Sequence, residues 1–491
     1  MYRQILGYVP SNVVPAVVSI LMVYAYTRLL SPAAFGVYSY VFATVLVLQT
    51  SLFHALPIAV MRFYPGAARA ARKDRLLKEA YLLFYGMAGA ATLICAGGML
   101  AVDMPQAYRL AALLAVPMLL FRSLVQLNQA INRSADKMQR FNAIECAHAV
   151  LGFGLGLVAL YSLGPSAEAI VLGLLLAAVL CSLADVRLLL APLARTAKGV
   201  DKAELVRLLA YAWPMVAVAA TTAILQTSDR FMIGSMAGAE ALGIFAVAYS
   251  LVERPTSLIC GSITTTTFPL VVKVLEHQGK EAARLQAGRN GIALLAVSLP
   301  ACAGLALTAD YIAATLVGPA FRPGVAALLP IMAYTALARS LRAHFVDHAF
   351  HLSGRPLRML WTYLPVTVLN IALNLFVVPR YGMFGAAWTA LGCQWLTVIS
   401  GCLIGTSLFP VWVPLGQTIR CILAVVPMIA GLTLIRFPLN WHGLFGAMMF
   451  GTILYGVSAF ALNVGEVRSL ARDSLRRRMR QEVAELTWPG G

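Results

Sequence analysis

The residues that could do chemistry are ionisable side chains set inside long apolar runs. Arg122, Arg254, Arg339 and Arg342 are placed this way, and so are Asp229, Arg230 and Glu253. An ionisable group at mid-depth in a bilayer costs at least about 2.5–3.5 kcal/mol on insertion scales, so it faces a bundle interior or a wet cavity. Arg339 and Arg342 are three residues apart and share a helical face. Guanidinium forks match phosphate oxygens bidentately, so arginines gathered around a cavity suit a phosphate-bearing cargo. The competing reading is that each arginine pairs locally or snorkels. Glu253 adjoins Arg254 but points about 100° away on a helix, so that pair does not form automatically. Asp229 accepting hydrogen bonds from a neighbouring helix is the structural reading of that group. His344, His348 and His351 follow at spacings of 4 and 3 on one face, with Asp347 between them. Such a face can ligate a metal or titrate near neutral pH. Its place at the end of an apolar run reads first as an interfacial polar face, and no metal site is assigned.

The elements that position these side chains follow from composition. Of 491 residues, 60% are hydrophobic and 12% charged, with mean hydropathy +0.79. A soluble chain of this length cannot bury so much apolar surface. Continuous runs of about 20 residues match helices that cross hydrocarbon, and the short alternating segments of a barrel are missing. The expectation is an all-α polytopic membrane protein of about 14 spans. They lie near 8–30, 37–61, 80–102, 108–131, 143–163, 168–190, 208–234, 243–271, 291–312, 325–350, 361–379, 385–408, 417–436 and 442–463. The first run lacks a small-residue cleavage site and reads as a retained span.

With the N-terminus inside, most of the 38 Lys and Arg residues fall in loops on one side, including the 62–79 loop and the tail from 464. This asymmetry predicts cytoplasmic termini and accounts for the net charge of +18 without a nucleic-acid partner. The eight cysteines form no C-x-x-C pair and indicate neither a disulfide framework nor zinc. Prolines inside the runs, such as Pro214 and Pro255, mark places where spans bend; Arg254-Pro255 reads as a charge beside a kink.

The chain is written twice. Ala34-Phe35-Gly36-Val37-Tyr38 is answered by Ala241-Leu242-Gly243-Ile244-Phe245, and a proline (Pro10, Pro214) opens the preceding run in each copy. Six spans separate the copies, which makes them parallel repeats facing each other across a central cavity. The expected organisation is a six-helix half at 1–205, a second at 206–408, an appended helix pair at 409–463 and a basic cytoplasmic tail at 464–491.

Five segments in order carry a family resemblance: LLSPAAFGVYSY (29–40), SDRFMIGSMAGAEALGIFAVAYS (228–250), TTFPLVVKV (266–274), LVGPAFRPG (316–324) and VVPRYGMFGAAWTAL (377–391). Together they resemble the multidrug/oligosaccharidyl-lipid/polysaccharide (MOP) exporter superfamily, specifically its Wzx-like polysaccharide flippases. The resemblance implies a flippase of the bacterial inner membrane that moves undecaprenyl-pyrophosphate-linked oligosaccharide units for exopolysaccharide or O-antigen synthesis by alternating access. Arg122, Arg254, Arg339 and Arg342 would then bind the cargo. Asp229, Arg230 and Glu253 would serve ion coupling or inter-helix pairing, and the three histidines a pH-sensitive face. Arg62 reads as an inside anchor, with substrate entry as its competing role. The implied partners are the lipid-linked oligosaccharide, membrane lipids, and polymerase and glycosyltransferases of the same pathway; no cofactor is implied.

No nucleotide-binding P-loop, H-E-x-x-H or G-x-S-x-G motif is present, so the chain is not read as an enzyme. One rival is a small-molecule exporter of the same superfamily, which for organic cations should line its cavity with acids. Another is a membrane polymerase or ligase, which calls for a large outer loop where this chain has short ones.

Overall fold

The computed structural model describes residues 9–101, 105–195, 201–411, 413–466 and 468; the basic tail expected beyond 468 lies outside them. Among the described residues the chain is helical throughout, without strands. The first part comprises α1 (Val9–Leu29), α2 (Pro32–Leu48), α3 (Ala55–Arg69), α4 (Lys73–Ala101), α5 (Gln106–Ser134), α6 (Met138–Leu163), α7 (Ala167–Ala184) and α8 (Val186–Arg195). It is followed by α9 (Lys202–Met236), α10 (Gly238–Leu307), α11 (Ala309–Leu316), α12 (Arg322–Leu341), α13 (Asp347–Leu352), α14 (Leu360–Leu408), α15 (Leu415–Leu434) and α16 (Trp441–Ala461).

Local sequence sets where helices begin. Ser31 accepts from the Ala34 N–H with Pro32 following it, and Asp201 accepts from the Ala203 and Glu204 N–H groups. Such caps satisfy donors that the first helical turn leaves unpaired.

Among the described residues, 12 helices are long and apolar enough to cross a membrane. Two of them are hairpins. In α10, Gly279 adopts φ 84, a conformation that favours glycine, and the chain turns back on itself. Asn290 Nδ2 donates to the Thr267 carbonyl at 3.0 Å, and Val271 packs against Ala283 and Ala287, as antiparallel neighbours must. In α14, Gly382 at φ 56 does the same, bringing Cys393 to Asn370. With these reversals the helices account for the spans expected from the sequence, and the protein is a multi-pass membrane protein. The backbone of α10 stays helical through Pro255; the departures fall elsewhere, in π-helical turns at Gln49–Phe53 and Arg342–Val346.

One end of the bundle is sealed by close backbone approach. A Cβ on Gly36 would lie 1.8 Å from the Ala239 carbonyl oxygen, and one on Gly243 would lie 2.0 Å from that of Pro32 and 3.0 Å from the Gly36 nitrogen. The glycines that answer each other in the repeat therefore pack on each other's helices. Beside them the Phe35 and Phe321 rings meet edge to face at 6.0 Å. Thr27 Oγ1 accepts from the Gly318 N–H at 2.9 Å, and Arg28 donates to the carbonyls of Thr315 and Leu316. The helices α15 and α16 pack on each other and on the 280–316 segment, where Tyr455 donates to the Ala296 carbonyl and the Phe437 N–H to Tyr311.

Candidate functional site

Away from the sealed end, the helices diverge around a cavity of ≈ 1370 Å³. Its lining comes from the ends of α1, α2–α3, α5, α6 and the first arm of α10 that lie on the basic side of the molecule. In α5, Arg122, Gln126, Gln129 and Arg133 follow at 4, 3 and 4 residues, which stacks them on one helical face. Glu145 and His148 face them from α6, and Gln49, Thr50 and His54 from the π-helical turn between α2 and α3. A π turn carries an extra residue, which re-aims the side chains around it.

Most of these groups are held in place. Arg122 Nε donates to Gln49 Oε1 at 3.1 Å, and its guanidinium lies 4.9 Å from the centre of the Phe42 ring. Gln126 reaches His54 at 3.5 Å. Gln129 donates to Glu145 at 3.0 Å and to the Phe141 carbonyl at 2.9 Å. Arg254 is exposed one turn before Leu258, which lines the cavity, so it stands on the cavity-facing stripe of α10.

Arg339 is engaged differently. It is buried, donates to Tyr249 at 2.7 Å and forms an ion pair with Glu253. Arg230 and Arg339 lie over the Tyr249 ring, at 4.5 and 4.9 Å from its centre. Asp229 accepts from Asn374 at 2.7 Å, Asn374 donates to Asn370 at 3.3 Å, and Ser228 donates to Asn370 at 2.8 Å. These bonds tie α9 to the first arm of α14, and the Arg339–Glu253 pair ties α12 to α10.

Arg342 is buried over the Tyr363 ring at 4.7 Å, near Asp347, which accepts from Tyr363; its Nε and Nη1 have no hydrogen-bond partner. The histidine face packs on α10. His344 meets Thr264 at 2.9 Å, and the His348 and His351 rings lie 4.4 and 6.4 Å from Phe268. The sequence candidates thus separate. Arg122 lines the cavity with Arg254 one helical turn from its lining, Arg339, Glu253, Asp229 and Arg230 form an inter-helix network, and Arg342 and the histidines stand beyond it toward the basic end.

A family model described as "Polysaccharide biosynthesis protein" matches residues 25–326. The chain belongs to this family. Among solved structures, the lipid II flippase MurJ in an inward closed conformation is similar at a TM-score of 0.76 and 13% identity, over 95% of this chain and 99% of that one. A multidrug resistance MATE family transporter of the MOP superfamily is similar in its inward-facing conformation at a TM-score of 0.61 and 16% identity, over 81% of this chain and 94% of that one. In its outward-facing conformation the values are 0.58 and 17%, over 82% and 94%. No protein with a curated description matches the sequence. Family and fold together make this a multi-pass member of the polysaccharide biosynthesis proteins with a fold like that of the lipid II flippase and the multidrug transporters.

Within this family member, the sequence reading passed over most of the cavity wall. Gln126 and Gln129 repeat in register with Arg122 and Arg133, a polar stripe on an otherwise apolar span. Glu145 and His148 form a second such stripe three residues apart. That helical spacing is the signal that finds them.

Proposed function

We propose that the protein is a flippase for a lipid-linked oligosaccharide. It would take the diphosphate and glycan headgroup into the cavity from the cytoplasmic leaflet of the inner membrane and release them on the other side. The observation that carries this reading is Arg122, held by Gln49 inside a ≈ 1370 Å³ cavity, with Arg254 one helical turn from Leu258 of its lining. The volume exceeds the roughly 300–1,000 Å³ of pockets for drug-sized ligands, which favours a larger headgroup. The two arginines offer diphosphate oxygens charge-assisted bonds, while glutamines and Thr50 face the glycan hydroxyls. The prenyl chain remains in lipid.

The basic loops lie on the cavity side, which supports a cavity that opens toward the cytoplasm. Two six-helix halves, 1–205 and 206–408, would rock about the cavity, opening the Gly36–Gly243 seam as the basic end closes. Arg339 and Arg342 contribute to cargo transfer in this scheme by holding the second half together in the inward-facing state. A small-molecule exporter is the second reading, supported by the likeness to the multidrug transporters. The carboxylate lining the cavity, Glu145, accepts a bond from Gln129, which leaves it less suited to a cationic drug than the arginines are to an anion.

Export of polysaccharide by cells carrying Arg122→Gln tests the reading. Loss of export at normal protein level is expected, with Arg122→Lys retaining part of it. Undiminished export in Arg122→Gln would overturn the cargo role.

Asp229 fits ion coupling as well as pairing. Its carboxylate accepts from Asn374 Nδ2 at 2.7 Å, and if that amide turned away the carboxylate would offer the oxygen ligand that a hard cation takes. Asp229→Asn is expected to fold normally yet export without responding to the cation gradient. A gradient response equal to that of the unaltered protein would leave Asp229 with the pairing role alone.

A further inference from the structure

A second pocket, of ≈ 650 Å³, lies on the basic side of the molecule beside the cavity, and Met61 lines both. Its wall carries Arg62, Arg69, Arg72, Arg75 and Arg207 and not one lysine. Two carboxylates share it: Asp201 takes a bond from Arg75 at 2.6 Å, and Glu204 one from Arg207 at 3.3 Å. Arg207 also lies over the Phe63 ring at 4.4 Å, and Arg69 donates to the Pro65 carbonyl at 3.3 Å. The Arg62 and Arg72 side chains have no hydrogen bond, ion pair or ring contact among the described residues. Three of the five guanidinium groups, those of Arg62, Arg69 and Arg72, thus have no carboxylate partner among the described residues, and the wall keeps an uncompensated positive charge.

Arg72 sits on the turn that ends α3, and Arg62 two helical turns before it. Ala71 adopts φ 55, which a residue with a Cβ takes only when its surroundings hold it there. The backbone N–H groups of Ala70, Ala71 and Arg72 bond back to the carbonyls of Gly66, Ala68 and Ala67, and α4 begins at once with Lys73. The turn is pinned from the side as well. Phe63 packs edge-on against Tyr211 at 5.2 Å, and Ala55, Ala59 and Leu76 cluster with Leu208 and Ala212. Orienting a loop toward the cytoplasm needs only charge, which scattered lysines supply equally well. Five arginines from α3, α4, α9 and the turn between α3 and α4 converge on one concavity, which goes beyond that need.

We propose that this pocket binds a diphosphate group, as a docking site at the cytoplasmic mouth that is separate from the cargo cavity. Its ligand is a polyanion with two adjacent phosphoryl groups, gripped by Arg62 and Arg72 with the remaining arginines behind them. The group can come from the headgroup of the lipid-linked cargo or from free diphosphate. The first source rests on the flippase reading; the site itself does not.

The test uses the full-length protein in phosphatidylethanolamine nanodiscs, titrated with inorganic diphosphate by calorimetry. The unaltered protein, Arg62→Gln with Arg72→Gln, and Arg122→Gln are compared. Both pocket arginines are exposed, so the double variant should keep its thermal midpoint, which is measured alongside. The double variant is expected to weaken one binding phase by about tenfold or more, the loss for removed charge-assisted bonds, while Arg122→Gln leaves that phase intact. A repeat uses nanodiscs containing phosphatidylglycerol. Unchanged diphosphate binding there is expected; weaker apparent binding in the unaltered protein only would show that a single lipid phosphate fills the pocket and overturn the diphosphate assignment. Diphosphate binding that is unaltered in the double variant overturns the proposal. If Arg122→Gln then abolishes binding, the cavity reading survives alone; if neither variant matters, both fail.

Discussion

Arginines that look alike in the sequence divide into two kinds once their neighbours are known. Arg122 is tethered by Gln49 at the edge of a cavity and keeps donors directed into it. Arg339 spends its donors on Glu253 and Tyr249. For such a buried pair, removing one partner is harsher than removing both, because it strands a charge. Glu253→Gln should destabilise the protein by about 3–5 kcal/mol, read as a lower thermal midpoint in detergent. Glu253→Leu with Arg339→Leu should cost clearly less. Equal losses in the two proteins would mean that the pair does not act as a unit. The sequence placed all of these residues within apolar runs and left their partners open. Glu253 points away from Arg254, as helical geometry requires, but nothing local discloses that it meets Arg339, 86 residues on. The stripe from Arg122 to Arg133 was legible from spacing alone.

At the level of the helices, the repeated small-residue turn takes on a mechanical role. Gly36 and Gly243 were visible as equivalents, but that they touch is a property of the assembled bundle. A side chain at either position collides with main chain, which cannot rotate away as a side-chain tip can. Gly243→Val should therefore hold the seam between α2 and α10 apart. Hydrogen exchange at the starts of these helices is expected to rise severalfold, with export reduced. Exchange equal to that of the unaltered protein would show that the seam tolerates the added bulk. The helical hairpins were foreseeable because each holds two membrane-length apolar stretches around a glycine. The π-helical turns were not, since no residue type marks them. One of them brings Gln49 and His54 to the cavity.

For the whole molecule, hydropathy and charge asymmetry carried most of the architecture. Apolar runs of membrane length leave the backbone no choice but helix, and the basic loops gather on one side. The cavity was not legible in the same way, because it is the space left where helices remote in sequence diverge. It lies at the basic end, with the opposite end sealed at Gly36, Gly243 and Gly318. Under the proposed flippase function, a site of this kind would take up an anionic headgroup from the charged face and hold it until the seam parts. The most direct measurement is the affinity of the purified protein for a prenyl-diphosphate-linked oligosaccharide, in the unaltered form, in Arg122→Gln and in Arg339→Leu with Glu253→Leu. The cavity account predicts a loss of about tenfold or more in Arg122→Gln and little change in the double variant. Equal affinity in Arg122→Gln, or a loss confined to the double variant, would contradict it.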